Sequence, residues 1–318
     1  MFKIQTLNNI SVRGLDRLPR DTFEVASEMT SPDAIMVRSA DMHKRDIPAS
    51  VRAIGRAGAG TNNIPVAAMS KRGVPVFNAP GANANAVKEL VLAGLLLASR
   101  NIAPALDFVR KLEGDDKALH EAVEAGKKKF VGFELPGRSL GVIGLGAIGI
   151  KVANAALDLG MEVWGYDPAM TVNNAWKLDA RVRRAVSVDD LISRSQFVSL
   201  HVPLIDATRN LVNADRLKLL KKQGVVLNFS RAPIVDEAAM VEALNAGTLH
   251  AYICDFPSVT LQGHPRVVAT PHLGASTGEA EENCAVMVAD QLRDYLETGN
   301  VTNSVNFPDA VLPLLPGK

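Results

Sequence analysis

Two residues that follow apolar runs have side chains suited to the chemistry of a small acid. Arg231 follows GVVLNFS and His272 follows VVATP. A planar guanidinium can hold a carboxylate through two parallel hydrogen bonds. An imidazole that titrates near neutral pH can take a carbinol proton while hydride leaves the same carbon. Together the two residues suit a 2-hydroxy acid. Singly, Arg231 reads as well as a strand-end ion pair, and His272 as a capping or loop histidine.

Hydride needs an acceptor, and residues 138–167 offer a place for one. Leu140, Val142 and Ile143 make a short strand that runs into Gly144-Leu145-Gly146-Ala147-Ile148-Gly149, and a helical pattern continues to Gly160. Gly144 allows the tight turn, Gly146 lets the backbone approach a pyrophosphate, and Gly149 lets the helix lie close to the strand. Backbone N–H groups at the helix start, at Ala147 and Ile148, would face the phosphates. The next strand, Met161 to Tyr166, ends at Asp167. A carboxylate there accepts from both ribose hydroxyls and repels a 2′-phosphate, so NAD is expected over NADP. Arg181, Arg183 and Arg184 lie downstream, where a 2′-phosphate would be approached. The alternative is a glycine-rich turn that binds nothing.

The elements that position these residues follow from length and alternation. The glycine motif begins almost halfway along 318 residues, and that length is enough for two cores. Ala34 to Val37, Val51 to Ile54 and Val74 to Phe77 are β-prone runs separated by helical or turn segments, which predicts a small parallel α/β domain before residue 100. Residues 102–130 carry a long helical pattern interrupted at Gly114 and Gly126. Further strands are expected at Gln196 to His201, Val225 to Phe229, Ala251 to Cys254 and Val267 to Thr270, giving a doubly wound sheet. Ligands bind at the carboxyl ends of such strands, where His201-Val202-Pro203, Ser230-Arg231, Asp255 and Pro271-His272 fall. A last helix is expected from about Ala285 to Thr298.

Composition narrows the partners. Lys and Arg total 35 against 34 Asp and Glu, for a net charge of +1, so nothing electrostatic favours nucleic acid or an anionic membrane. The N-terminus MFKIQTLNNI lacks a signal-peptide core, and Leu90 to Ala98 is too short to span a bilayer. Two cysteines without a CxxC pattern suggest reduced thiols in the cytoplasm. The histidines show no metal-ligand spacing, so no metal is expected.

Seven motifs in order, VRSA, RAGAGTNNI, RGVPVFNAPGANANAVKEL, GVIGLGAIG, SLHVP, LNFSRAPIVDEAAM and ATPHLGAST, span nearly the whole chain. Together they resemble the D-isomer-specific 2-hydroxyacid dehydrogenase family, most of all its members that oxidise D-3-phosphoglycerate. The resemblance implies an α/β fold of two doubly wound parallel-sheet domains. A Rossmann NAD domain, residues 101–286, would be inserted into a flavodoxin-like substrate domain, residues 1–100 and 287–318. It also implies a homodimer and a cleft that closes on substrate. Arg231 would bind the 2-hydroxy carboxylate, His272 would exchange the hydroxyl proton, and Asp255 would lie near the nicotinamide. His201, Val202, Pro203, Ser230, His272 and Gly274 would border the cofactor. Gly58, Ala59, Gly60 and Asn78 would line the substrate, with Arg38 and Ser39 at the place that grips its distal end. Arg56 adds a second cation where many relatives have an uncharged residue, and two guanidiniums suit a distal phosphate; the alternative is that Arg38 and Arg56 are solvated charges in loops. Other readings are a reductase of glyoxylate, hydroxypyruvate or another D-2-hydroxy acid, and an NAD(H)-sensing scaffold without turnover.

The chain departs from the family pattern in three places. Relatives carry a glutamate soon after the acid at the end of the AYICD strand, and it hydrogen-bonds the catalytic histidine. Here Asp255-Phe256-Pro257-Ser258-Val259-Thr260-Leu261-Gln262-Gly263 contains no second acid. Asp255 or Glu279 would have to substitute, and Asp255 is expected to do so in part. Ala232 stands where relatives have glycine. The C-terminal regulatory domain that such members often carry is not expected, because the sequence stops at Lys318 after Pro313 and Pro316.

Overall fold

The computed structural model describes residues 1–311. Two compact units result, Met1–Ala86 with Ala275–Lys318, and Val87–Gly274. Both are α/β.

The first unit is a parallel sheet of β1 (Phe2–Leu7), β2 (Phe23–Ala26), β3 (Ala34–Val37), β4 (Ala53–Arg56) and β5 (Val76–Phe77), in the order β2-β1-β3-β4-β5. This is the flavodoxin-like winding. All four residues of β3 are buried, as a central strand covered on both faces requires. β1 and β2 were not anticipated. They lie at one side of the sheet and mix polar with apolar residues, so in β1 Ile4 and Leu7 carry the burial.

The helix Gly278–Thr298 packs on this sheet through Cys284, Ala285, Val288, Ala289, Leu292 and Leu296, a three-to-four-residue repeat. It begins seven residues before the Ala285 start expected, because the Thr277 hydroxyl caps the N–H of Ala280 and the polar first turn already turns Ala280 and Cys284 inward. A division at 286/287 would therefore cut a continuous helix. Gly55 permits the close packing: a Cβ there would lie 2.4 Å from Val288 Cγ1. Beyond Gly299 the chain closes on β5, where Ser304 bridges Phe77 and Asn306 Oδ1 accepts from Val76 N at 2.8 Å.

The second unit is a seven-stranded parallel sheet: β6 (Ser139–Ile143), β7 (Glu162–Tyr166), β8 (Arg183–Arg184), β9 (Phe197–Leu200), β10 (Gly224–Asn228), β11 (Leu249–Cys254) and β12 (Val267–Ala269). Its order is β12-β11-β10-β9-β6-β7-β8, the doubly wound Rossmann arrangement. The two-arginine edge strand β8 has no apolar signature and escapes a reading from sequence. The helix Ala84–Ser99 inserts Val87, Val91, Leu95 and Ala98 into the core beside Leu140 and Ile253. That packing moves the unit boundary from 100/101 to 86/87. Helices Ile102–Arg110 and Asp116–Gly126 follow, interrupted at Gly114. Among the described residues no single helix is long and apolar enough to cross a membrane.

Candidate active site

In the second sheet the strand order reverses between β6 and β9, and the glycine turn sits at that switch. Gly144 holds φ at +91°, and a Cβ on it would lie 2.4 Å from the His201 carbonyl oxygen. A Cβ on Gly149 would lie 1.9 Å from the carbonyl oxygen of Gly144. Both glycines are demanded by the fold itself. Gly146 is not: its Cβ would meet nothing within 4 Å. The helix Ala147–Asp158 starts there without a side-chain cap, and among the described residues the N–H groups of Ala147 and Ile148 have no acceptor. Open space before uncapped, partly positive N–H groups fits a pyrophosphate.

Asp167 ends β7 beside this turn. Its Oδ2 accepts from Leu145 N and its Oδ1 from Ala169 N, both at 2.8 Å, which fixes the carboxylate while leaving a lone pair on each oxygen. It borders a cavity of about 560 Å³ lined also by Pro168, Met170, Val182, Arg183 and Arg184. Arg181 is held away by Asp179 through hydrogen bonds of 3.0 and 2.8 Å. Arg183 pairs with Glu162 at 3.3 Å. The residues present fit an NAD ribose and pyrophosphate.

His201, Val202 and Pro203 follow β9. The His201 N–H donates to Ile143 O at 2.8 Å, tying β9 to the glycine turn. Its ring sits 2.8 Å from Ser199 Oγ, and the protein packed around it pushes its pKa down to about 3, so the imidazole is neutral. The Ser230 hydroxyl donates to Leu200 O at 2.7 Å.

Arg231 is exposed, and its guanidinium donates to Ser230 O at 2.6 Å. Among the described residues it forms no ion pair, so the strand-end salt bridge is not formed and the fork remains available. The loop that presents it depends on Asn228, which the sequence reading did not single out. Asn228 is fully buried: its amide donates to Arg231 O at 2.9 Å and to Tyr252 Oη at 3.3 Å, while its Oδ1 accepts from Ser230 N at 3.1 Å. A polar amide inside the apolar run GVVLNFS was the available signal.

Asp255 follows β11, 1% exposed. Its Oδ1 accepts from the Thr270 hydroxyl at 2.6 Å and from Leu273 N at 2.7 Å, and its Oδ2 accepts from Gly274 N at 2.7 Å. The carboxylate is thus spent on the backbone of the loop that carries His272. This corrects the expectation that Asp255 stands in for the missing glutamate at the ring. Among the described residues the His272 ring has no hydrogen bond; it meets Phe256 edge-on at 5.2 Å. His272 itself adopts φ +57°, a left-handed conformation uncommon for a residue with a side chain, held by its N–H bonding to the carbonyls of Asp255 and Thr270.

In the first unit the predicted residues again lie at carboxyl ends of strands. Arg38 and Ser39 follow β3, Arg56 ends β4 before Gly58, Ala59 and Gly60, and Asn78 follows β5. Asn8, also not singled out from sequence, accepts from the N–H groups of Ser39 and Ala40 at 3.0 and 2.7 Å. The Asn78 amide donates to Ala59 O at 2.6 Å, and Arg56 Nε donates to Arg38 O at 3.0 Å. Arg38 pairs with Glu281 of the helix Gly278–Thr298.

Comparison with known proteins agrees with this arrangement. Residues 98–274 match the NAD binding domain of the D-isomer specific 2-hydroxyacid dehydrogenases. D-3-phosphoglycerate dehydrogenase of Methanocaldococcus jannaschii is 35% identical over 298 residues, covering 90% of this chain and 54% of that protein. The Bacillus subtilis protein of the same name is 32% identical over 326 residues, 97% of this chain and 59% of that one. The chain thus spans little more than half the length of these curated relatives. The structure of NAD+-bound 3-phosphoglycerate dehydrogenase from Entamoeba histolytica aligns at a TM-score of 0.72 and 26% identity, covering 96% of this chain and 99% of that one. That of D-mandelate dehydrogenase from Rhodotorula graminis aligns at 0.79 and 23%, over 96% and 97%, a likeness of fold. On these matches the chain belongs to the D-isomer specific 2-hydroxyacid dehydrogenase family.

Proposed function

We propose that the protein oxidises D-3-phosphoglycerate to 3-phosphooxypyruvate with NAD. The observation that carries this reading is Arg231, a guanidinium with no ion pair among the described residues, at the end of β10 on the sheet whose strands β12 and β6, each two places away, end at His272 and the open glycine turn. Arg231 holds the substrate carboxylate bidentately. A ring nitrogen of His272 accepts the C2 hydroxyl proton as the C2–H bond breaks and the carbonyl forms. Bound NAD supplies the acceptor for that hydride. Gly146 leaves room for the pyrophosphate and Asp167 takes the ribose hydroxyls. Arg38 and Arg56 take the distal phosphate, two guanidiniums suiting a dianion better than a neutral tail.

A second reading, reduction of glyoxylate or hydroxypyruvate, is favoured by one feature: Glu281 already offsets the charge of Arg38. Initial rates with NAD(H) on a panel of phosphorylated and unphosphorylated acids separate the two. D-3-phosphoglycerate is expected to have the highest kcat/KM, and a preference for glyoxylate that persists in Arg38→Ala would overturn the reading. Arg231→Gln is expected to raise KM, and His272→Gln to lower kcat.

The protein is also proposed to work as a cytoplasmic homodimer. Helices Ile102–Arg110 and Asp116–Gly126 leave Leu106 and Val109 half-exposed, and the cysteines Cys254 and Cys284 are free and buried. Sedimentation tests the oligomer: a monomer at micromolar concentration would exclude it.

A further inference from the structure

Within the first unit, four groups meet where β3 and β4 end. Arg38 pairs with Glu281, both side chains about 40% exposed (40% and 41%). Arg56 is tethered to the same place, its Nε donating to Arg38 O at 3.0 Å. Its guanidinium fills the space that a side chain on Gly58 would need, with Nη1 1.8 Å from where that Cβ would be. Cys284 lies buried beneath, its thiol pushed up by burial and within the field of Arg56, Arg38 and Glu281.

We infer that Glu281 is a specificity-determining residue: its carboxylate occupies the anion seat on Arg38 and is displaced by the distal phosphate of the substrate. The inference rests on the proposed phosphate role of Arg38 and Arg56. A carboxylate and a phosphate oxygen ask the same geometry of a guanidinium, so both cannot hold its fork fully at once. The pair is half-exposed, and such pairs are held by little free energy, so an incoming dianion can open it. Once opened, Glu281 remains as a like charge close to the phosphate. It therefore weakens retention of phosphorylated substrate and product, while holding Arg38 in place when no phosphate is bound. An unphosphorylated acid leaves the Arg38–Glu281 pair closed and meets no such competition.

Removing the charge without changing the shape, Glu281→Gln, isolates this effect. Inorganic phosphate is titrated onto the full chain and followed by phosphorus NMR line broadening, alongside KM for D-3-phosphoglycerate and for D-glycerate. Phosphate affinity is expected to rise on the order of tenfold in Glu281→Gln, the effect of deleting one partly screened charge beside a dianion. KM for the phosphorylated acid falls by a similar factor, and the ratio of the two KM values shifts with it. Glu281→Asp restores the wild-type affinity, and Arg38→Gln combined with Glu281→Gln abolishes the gain. Phosphate affinity that is unchanged or lower in Glu281→Gln overturns the inference, as does a gain that survives loss of Arg38. If the wild-type protein turns over no D-3-phosphoglycerate, the functional reading fails, and the phosphate titration still decides the role of Glu281.

Discussion

The buried carboxylate of Asp255 accepts the backbone N–H of Gly274 at 2.7 Å, so the acid at the end of one strand fixes the loop after the next. The same carboxylate takes the N–H of Leu273 and the hydroxyl of Thr270. His272 lies between these anchors with a strained backbone and a ring without a hydrogen bond among the described residues. Asp255 is therefore a positioning residue for the imidazole.

Asp255→Asn puts an amide donor against at least one of those N–H groups. Stability is expected to fall by roughly 1–3 kcal/mol, the cost of leaving a buried polar group unmatched, and kcat falls as the loop loosens. Thermal unfolding and the pH–rate profile report both. A profile midpoint displaced by a full unit at unchanged stability would give Asp255 the ring contact that the geometry denies it.

The glycines of the turn divide by purpose. Gly146→Ala adds a methyl to open space at φ −78°, an ordinary conformation, so stability stays within about 0.5 kcal/mol. NADH affinity, read by fluorescence titration, is expected to drop at least tenfold. Gly149→Ala drives a methyl into the Gly144 carbonyl and should cost about 1–3 kcal/mol or more before any ligand is added. Equal destabilisation by the two variants would contradict this division.

Asn228→Asp keeps the acceptor for Ser230 N and loses the donors to Arg231 O and Tyr252 Oη. Because Arg231 is reached only through its own carbonyl, KM for the hydroxy acid should rise while NADH affinity holds. A fall in NADH affinity as large as the rise in KM would mean general loosening of the sheet end.

His201 sets a pH dependence of stability. Its folded pKa of about 3 lies below the ordinary value of 6.5, so the folded state resists the proton that the unfolded chain takes up. This group costs nothing above pH 6.5. Between 6.5 and about 3 it removes stability as pH falls, with a limiting slope of about 1.4 kcal/mol per unit. His201→Gln should flatten this part of a denaturation-versus-pH curve; an unaltered slope would place the loss elsewhere.

The sequence by itself determined the elements whose causes are local. The glycine turn, Asp167 at the end of β7, and the apolar strands β3, β6, β9 and β10 were legible because backbone sterics and burial on both faces act through covalent neighbours. Arg231 and His272 were legible as strand-end residues for the same reason. Tertiary structure alone decided the partners. Asp255 meets Thr270 and Gly274 through the β11–β12 register, and Arg38 meets Glu281 from 243 residues away. The strand β1, the edge strands β2 and β8 and the unit boundaries belong to this second class. Their residues are half polar or continue a helix across the division, so only packing against a distant core fixes where they lie.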